Sequence, residues 1–116
     1  MRHNRTIRKL GKNQSQRKSL IKNLAISFFT HKKITTTEAR AKELRKTVEK
    51  LITVAKAQDL ASLRKVNAFL NHWATTKIVK DLALKYKERK GGYTQIIKTG
   101  RRRGDAGETV IIQIVL

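Results

Sequence analysis

Three consecutive arginines, Arg101, Arg102 and Arg103, stand directly before Gly104-Asp105 in the stretch KTGRRRGDAGETV. Guanidinium groups placed together can grip phosphate oxygens through forked pairs of charge-assisted hydrogen bonds. The same letters contain Arg103-Gly104-Asp105, the tripeptide that animal cell-adhesion receptors read on extracellular proteins. Which chemistry applies depends on what the charge of the whole chain is for.

That charge is large. Lys and Arg number 28 against 8 Asp and Glu, a formal net charge of +20, and the sequence pI is about 11.1. Residues 1–37 contain no acid at all, and Glu38 is the first. A solvated surface normally intersperses both signs. So one-sided a distribution repels itself unless a polyanion neutralises it, and the footprint is that of a nucleic-acid-binding protein. An anionic membrane surface is the second reading. It needs a helix whose bulky apolar face is free to insert, whereas in a domain this small the apolar residues of 15–30 are needed to cover a core.

Catalytic chemistry finds no parts. His3, His31 and His72 are scattered without metal-ligand spacing, and the eight acids form no close pair in a shared apolar setting. GKNQS lacks the glycine and the Gly-Lys-Ser/Thr ending of a phosphate loop. With no cysteine in the chain, disulfides and thiolate metal sites are excluded. The expectation is therefore a protein that is not an enzyme and carries no cofactor or metal. No apolar run reaches the roughly 18 residues of a membrane span, and the basic start lacks the apolar centre of a signal peptide. A soluble, intracellular protein is expected, and the adhesion reading loses its setting.

The elements that must position these charges follow from periodicity. Residues 1–14 have only Ile7 and Leu10 as apolar anchors, sustain no period, and are expected to form a basic N-terminal arm. A single domain is expected over 15–116. Leu20, Ile21, Leu24 and Phe28 recur at helical spacing behind a cap at Ser15 or its neighbour. Ile34 to Thr36 reads as a short strand. Thr35 with Glu38, or Thr37, caps a long helix whose stripe is Ala41, Leu44, Val48, Leu51 and Ala55. Glu38 precedes Lys42 by four, the favourable order for a helical ion pair. Asp59 or Ser62 opens a third helix with Leu63, Val66, Leu70 and Trp73 on one face. A fourth begins near Thr75, turns Ile78, Val79, Leu82 and Tyr86 inward, and ends with Gly91 or Gly92 as its C-cap. YTQIIKT and TVIIQIVL are β-branched segments joined by GRRRGDAGE, an antiparallel hairpin. The expected fold is α+β in two layers: about four helices on a small mixed sheet with a C-terminal β-hairpin and the arm projecting. Trp73, Phe28, Phe69 and Tyr86 are expected in the core, while Tyr93 at a strand start could stack on a base. Without a run of surface aromatics, binding is expected to go mainly to phosphates and shape.

The opening MRH, the S-x-x-R before the first helix, ITTTEARAKELRKTVEKLITVAK and YKERKGGYTQIIKTGRRRGD, in that order and spacing, resemble the bacterial large-subunit ribosomal protein 17 family over essentially the whole chain. Gln16 and Gln95 stand where that family commonly carries histidine and arginine. The resemblance implies a cytoplasmic structural protein of the large ribosomal subunit, or of an organellar ribosome. It would be bound to 23S-type ribosomal RNA near the peptide exit tunnel, beside large-subunit protein 32. A free architectural DNA- or RNA-binding protein is the alternative. Ribosomal RNA contacts are then expected from Arg2, His3, Arg5, Arg8, Lys9 and Lys12 of the arm and from Arg17, Lys18 and Lys22 of the first helix. Lys42 and Arg45 are expected to contribute from the long helix, alongside Arg40 and Lys46 as solvated or ion-paired neighbours. Arg89, Lys90 and Tyr93, with Arg101, Arg102 and Arg103, are expected to form a second patch at one end of the hairpin. In that turn the arginines serve phosphates, and Gly104-Asp105 serves the backbone.

Overall fold

The computed structural model describes residues 10–115. Asn13 starts the first helix, α1 (Gln14–His31), with a reciprocal capping box. Its Oδ1 accepts from the Gln16 N–H at 2.9 Å, and its own N–H donates to Gln16 Oε1 at 3.2 Å. Two otherwise orphaned donors are satisfied in this way, two positions upstream of the Ser15 cap expected from the pattern. Lys32 ends α1 in the left-handed conformation, with φ 66°, and the chain enters β1 (Lys33–Thr37) at once.

Of the two caps open to α2 (Glu38–Ala55), Thr37 is the one used: its hydroxyl accepts from the Arg40 N–H at 3.5 Å. The expected stripe is realised in full. Ala41, Leu44, Val48, Leu51, Ile52 and Ala55 are all buried, and α2 touches every other helix and all three strands. Asp59 caps α3 (Leu60–Leu70) by accepting from the Ser62 N–H at 2.7 Å, and hydrogen bonding from the Ser62 side chain, with that backbone bond, holds the Asp59 carboxyl below its ordinary range. His72 caps α4 (Trp73–Lys85).

The hairpin is β2 (Thr94–Arg101) and β3 (Glu108–Ile114). With β1 it forms one three-stranded sheet in the order β1-β3-β2. Both neighbours of β3 run opposite to it, so the sheet is antiparallel throughout rather than mixed. Ile34, Ile112 and Ile96 line up across the three strands on the face turned to the helices. A bulge at Thr99, between Lys98 and Gly100, interrupts the β2 ladder. Gly100 takes φ +122° there, a conformation that side-chain-bearing residues resist.

Two expectations fail for identifiable reasons. Trp73 does not continue the apolar face of α3, because Asn71 turns the chain at φ 50° and breaks the helical phase. It opens α4 instead and is 55% exposed. Nor does α4 run on to a glycine cap. It stops at Lys85, where Tyr86 is drawn into the core at 2% exposure. There the Tyr86 phenol donates to the Val115 carbonyl, and burial raises the phenol above its ordinary 10.0. Gly92, at φ +67°, serves the turn into β2.

Candidate nucleic-acid interface

The basic face of α1 and the middle of α2 flank one groove. Its volume is about 400 Å³, and Leu10, Ile21 and Phe69 give it an apolar lining. Arg17 and Lys18 stand on the α1 side, Lys46 and Lys50 on the α2 side. The 3.6-residue repeat produces this arrangement, because positions 43, 46, 47 and 50 share one face of α2. Glu43 is the acid in the groove; it is nearly buried, and Lys46 Nζ lies 3.2 Å from its Oε1. Lys50 was missed by sequence reasoning, although its spacing of four from Lys46 carries the signal. Lys12 lies half-buried just before α1, and Lys22 is half-buried within it. Arg2, His3, Arg5, Arg8 and Lys9 lie outside the described residues.

Along α2 the expected basic residues are paired with acids of the same helix. Lys42 Nζ is 2.9 Å from Glu38 Oε1, as the sequence order indicates, and Arg45 Nε is 3.6 Å from Glu49 Oε1. Exposed pairs of this kind are worth little to stability, and their cations stay available to exchange partners. Hydrogen bonding with the Glu108 carboxyl, and after it the Lys42 ammonium, lowers the Glu38 carboxyl from 4.5 to about 2.

The second patch divides in two. Tyr93 immediately precedes β2, and Arg101 ends it. Seven steps of extended chain separate Thr94 from Arg101, about 23 Å at some 3.3 Å per residue. Arg89, Lys90 and Tyr93 therefore lie at the opposite end of the hairpin from the three arginines. Sequence proximity to the same hairpin could not reveal this, because an antiparallel pair separates its ends.

Tyr93 is not a stacking surface. Its side chain is 1% exposed, its ring lies 4.9 Å from that of Tyr86, and its hydroxyl donates to the Arg89 carbonyl at 3.2 Å. Lys56, which ends α2, donates to the Tyr93 hydroxyl at 3.0 Å and also to the Arg89 carbonyl. Arg89 in turn donates from Nη1 to the Val115 carbonyl at 2.9 Å and lies over the Tyr86 ring at 5.3 Å. These contacts fasten the 86–93 connection to the core. Lys90 remains exposed at its outer edge.

At the far end, Arg102 and Asp105 close the turn. Arg102 Nη2 is 2.7 Å from Asp105 Oδ2, while Asp105 Oδ1 accepts from the Gly107 N–H at 3.0 Å. That backbone bond, with Arg102, holds the Asp105 carboxyl below its usual range. The Arg102 N–H also donates to the Gly107 carbonyl at 2.9 Å. Arg101 and Arg103 are exposed and have no ion pair among the described residues. The triplet thus splits into one turn-forming arginine and two that can meet a polyanion.

Among the described residues, no three His, Asp or Glu side chains are grouped to hold a metal ion, and no helix is long and apolar enough to cross a membrane. Comparison with known proteins matches residues 20–115 to the ribosomal protein L17 family. The chain is 47% identical over 116 residues to the large ribosomal subunit protein bL17 of Pelobacter propionicus, covering 99% of this chain and 91% of the relative. It is 48% identical to bL17 of Fusobacterium nucleatum, covering 99% of this chain and all of the relative. With bL17 of Dictyoglomus thermophilum the identity is 49% at the same coverage. A match over most of the described fold, with near-complete coverage in both directions, shows that the chain belongs to the ribosomal protein L17 family.

Proposed function

We propose that this protein is a structural, non-enzymatic constituent of the large subunit of cytoplasmic ribosomes. It binds 23S-type ribosomal RNA and stabilises its fold near the peptide exit tunnel, beside large-subunit protein 32. One observation carries the RNA reading: an acid-free stretch of 37 residues contains the helix α1, whose cations line a groove opposite those of α2. The arm of residues 1–14 supplies Arg2, His3, Arg5, Arg8, Lys9 and Lys12. Arg17, Lys18 and Lys22 extend that surface over α1, with Lys42 and Arg45 of α2 beside it. Lys90 and the pair Arg101 and Arg103 act as separate contacts at the two ends of the hairpin. Cations placed so far apart can hold different RNA helices together, and such contacts follow phosphates and shape rather than base sequence.

Sucrose-gradient fractionation tests this reading. Stoichiometric sedimentation with the large subunit, retained through a high-salt wash, is expected. Recovery mainly in the ribosome-free or nucleoid fraction would overturn it in favour of a free architectural DNA- or RNA-binding protein. Cross-linking within the purified subunit tests the neighbour, with large-subunit protein 32 as the expected partner.

A further inference from the structure

Trp73 is the only tryptophan in the chain, and it is 55% exposed at the first position of α4. Large aromatic side chains normally bury most of their surface. Among the described residues, the ring contacts join Phe28 to Phe29 and Tyr86 to Tyr93, and neither involves Trp73. The backbone beneath the indole is nevertheless tightly held. His72 Nδ1 accepts from the Thr75 N–H at 3.2 Å, and the Thr76 hydroxyl donates to the His72 carbonyl at 3.0 Å. Both threonines are 1% exposed, so the indole stands on a fixed corner.

The charge around that corner is mostly positive. From Leu60 to Lys80 the chain contains Arg64, Lys65, Lys77 and Lys80, and Asp59 and Asp81 bound the segment, so cations outnumber acids by two to one. Lys77 is exposed and follows Trp73 by four, one turn along the same helix face. An exposed π-face with an exposed lysine one turn away suits a nucleotide, which offers a flat base and a phosphate together.

We propose that Trp73 is a stacking platform for an unpaired RNA base, with Lys77 receiving the adjoining phosphate. The proposal rests on the ribosomal RNA reading above and adds a base contact to a surface otherwise made for phosphates. A protein partner is the competing occupant, and the excess of cations over acids favours RNA.

The test uses the full chain, in which indole fluorescence reports on Trp73 alone. Purified large-subunit ribosomal RNA and inorganic polyphosphate, which has charge but no bases, are titrated separately. Saturable quenching by the RNA and none by polyphosphate is expected. Trp73→Leu should weaken RNA binding on the order of ten-fold without changing its salt dependence, and Trp73→Phe should restore most of it. RNA bound in a mobility-shift assay without quenching overturns the stacking proposal and leaves the ribosomal reading standing. No RNA bound at all overturns both. An indole that responds only to salt-extracted large-subunit proteins marks a protein contact and overturns the base assignment.

Discussion

The ammonium of Lys56 donates to the phenol of Tyr93 at 3.0 Å and so joins the end of α2 to the residue before β2. The bond favours the ionised phenol and lowers Tyr93 below the ordinary 10.0, while burial raises Tyr86 above it. The chain has two tyrosines, so its ultraviolet titration should show one step on each side of 10.0. Lys56→Met should move the earlier step upward. It should also cost about 1–3 kcal/mol in denaturant unfolding, because the Tyr93 hydroxyl and the Arg89 carbonyl both lose a charged donor. A single shared step would contradict the arrangement.

Arg102 is spent on the turn through Asp105, whereas Arg101 and Arg103 are exposed and have no ion pair among the described residues. Arg101→Ala and Arg103→Ala should each flatten the plot of log affinity against log salt by about 0.7–0.9 per lost phosphate contact. Arg102→Ala should change it less. Asp105→Ala should steepen it, because it removes a nearby negative charge and releases a guanidinium. Equal effects from all three arginines would show that the pair opens on binding.

The boundary between arm and helix gives a prediction about truncation. Deleting residues 2–9 leaves the Asn13–Gln16 capping box intact, so the domain should still fold cooperatively while incorporation into the large subunit weakens. Extending the deletion through Asn13 removes the cap and should cost about a further 1 kcal/mol of stability. Undiminished incorporation of the shorter deletion would show the arm to be dispensable.

Helices and strands were legible where one face repeats. The stripe of α2 is buried as its period indicates, and Val110 and Ile112 of the hairpin are buried in alternation, because local pattern and tertiary packing agree there. Legibility ended at turns. The left-handed Asn71 shifts the helical phase by too little to show in the sequence, so Trp73 is exposed where spacing expected core. At Tyr86 a long-range bond to Val115, invisible to local pattern, ends α4 early. The charge was legible as a sum but not as a surface. Pairing of Arg17 and Lys18 with Lys46 and Lys50 across one groove, and the separation of Arg89 from Arg101, both depend on how α1 and the hairpin pack.

Acid should reveal the junction between α2 and the hairpin turn. Glu38 opens α2, where a negative charge also faces the positive end of the helix dipole, and its carboxyl is lowered from 4.5 to about 2 by Glu108 and Lys42. A depressed folded-state value means that the unfolded chain takes up protons first. The share supplied by Lys42 is therefore complete above 4.5 and is lost as pH falls through about 2, whereas hydrogen bonding with Glu108 needs a proton on one of the two carboxyls and adds nothing at neutral pH. Urea midpoints of the natural chain and of Glu38→Gln should differ at neutral pH, with the natural chain more stable. The gap should narrow below pH 4.5 and close near pH 2. A gap that stays constant across this range would mean that the Glu38 charge contributes nothing and that only its shape matters.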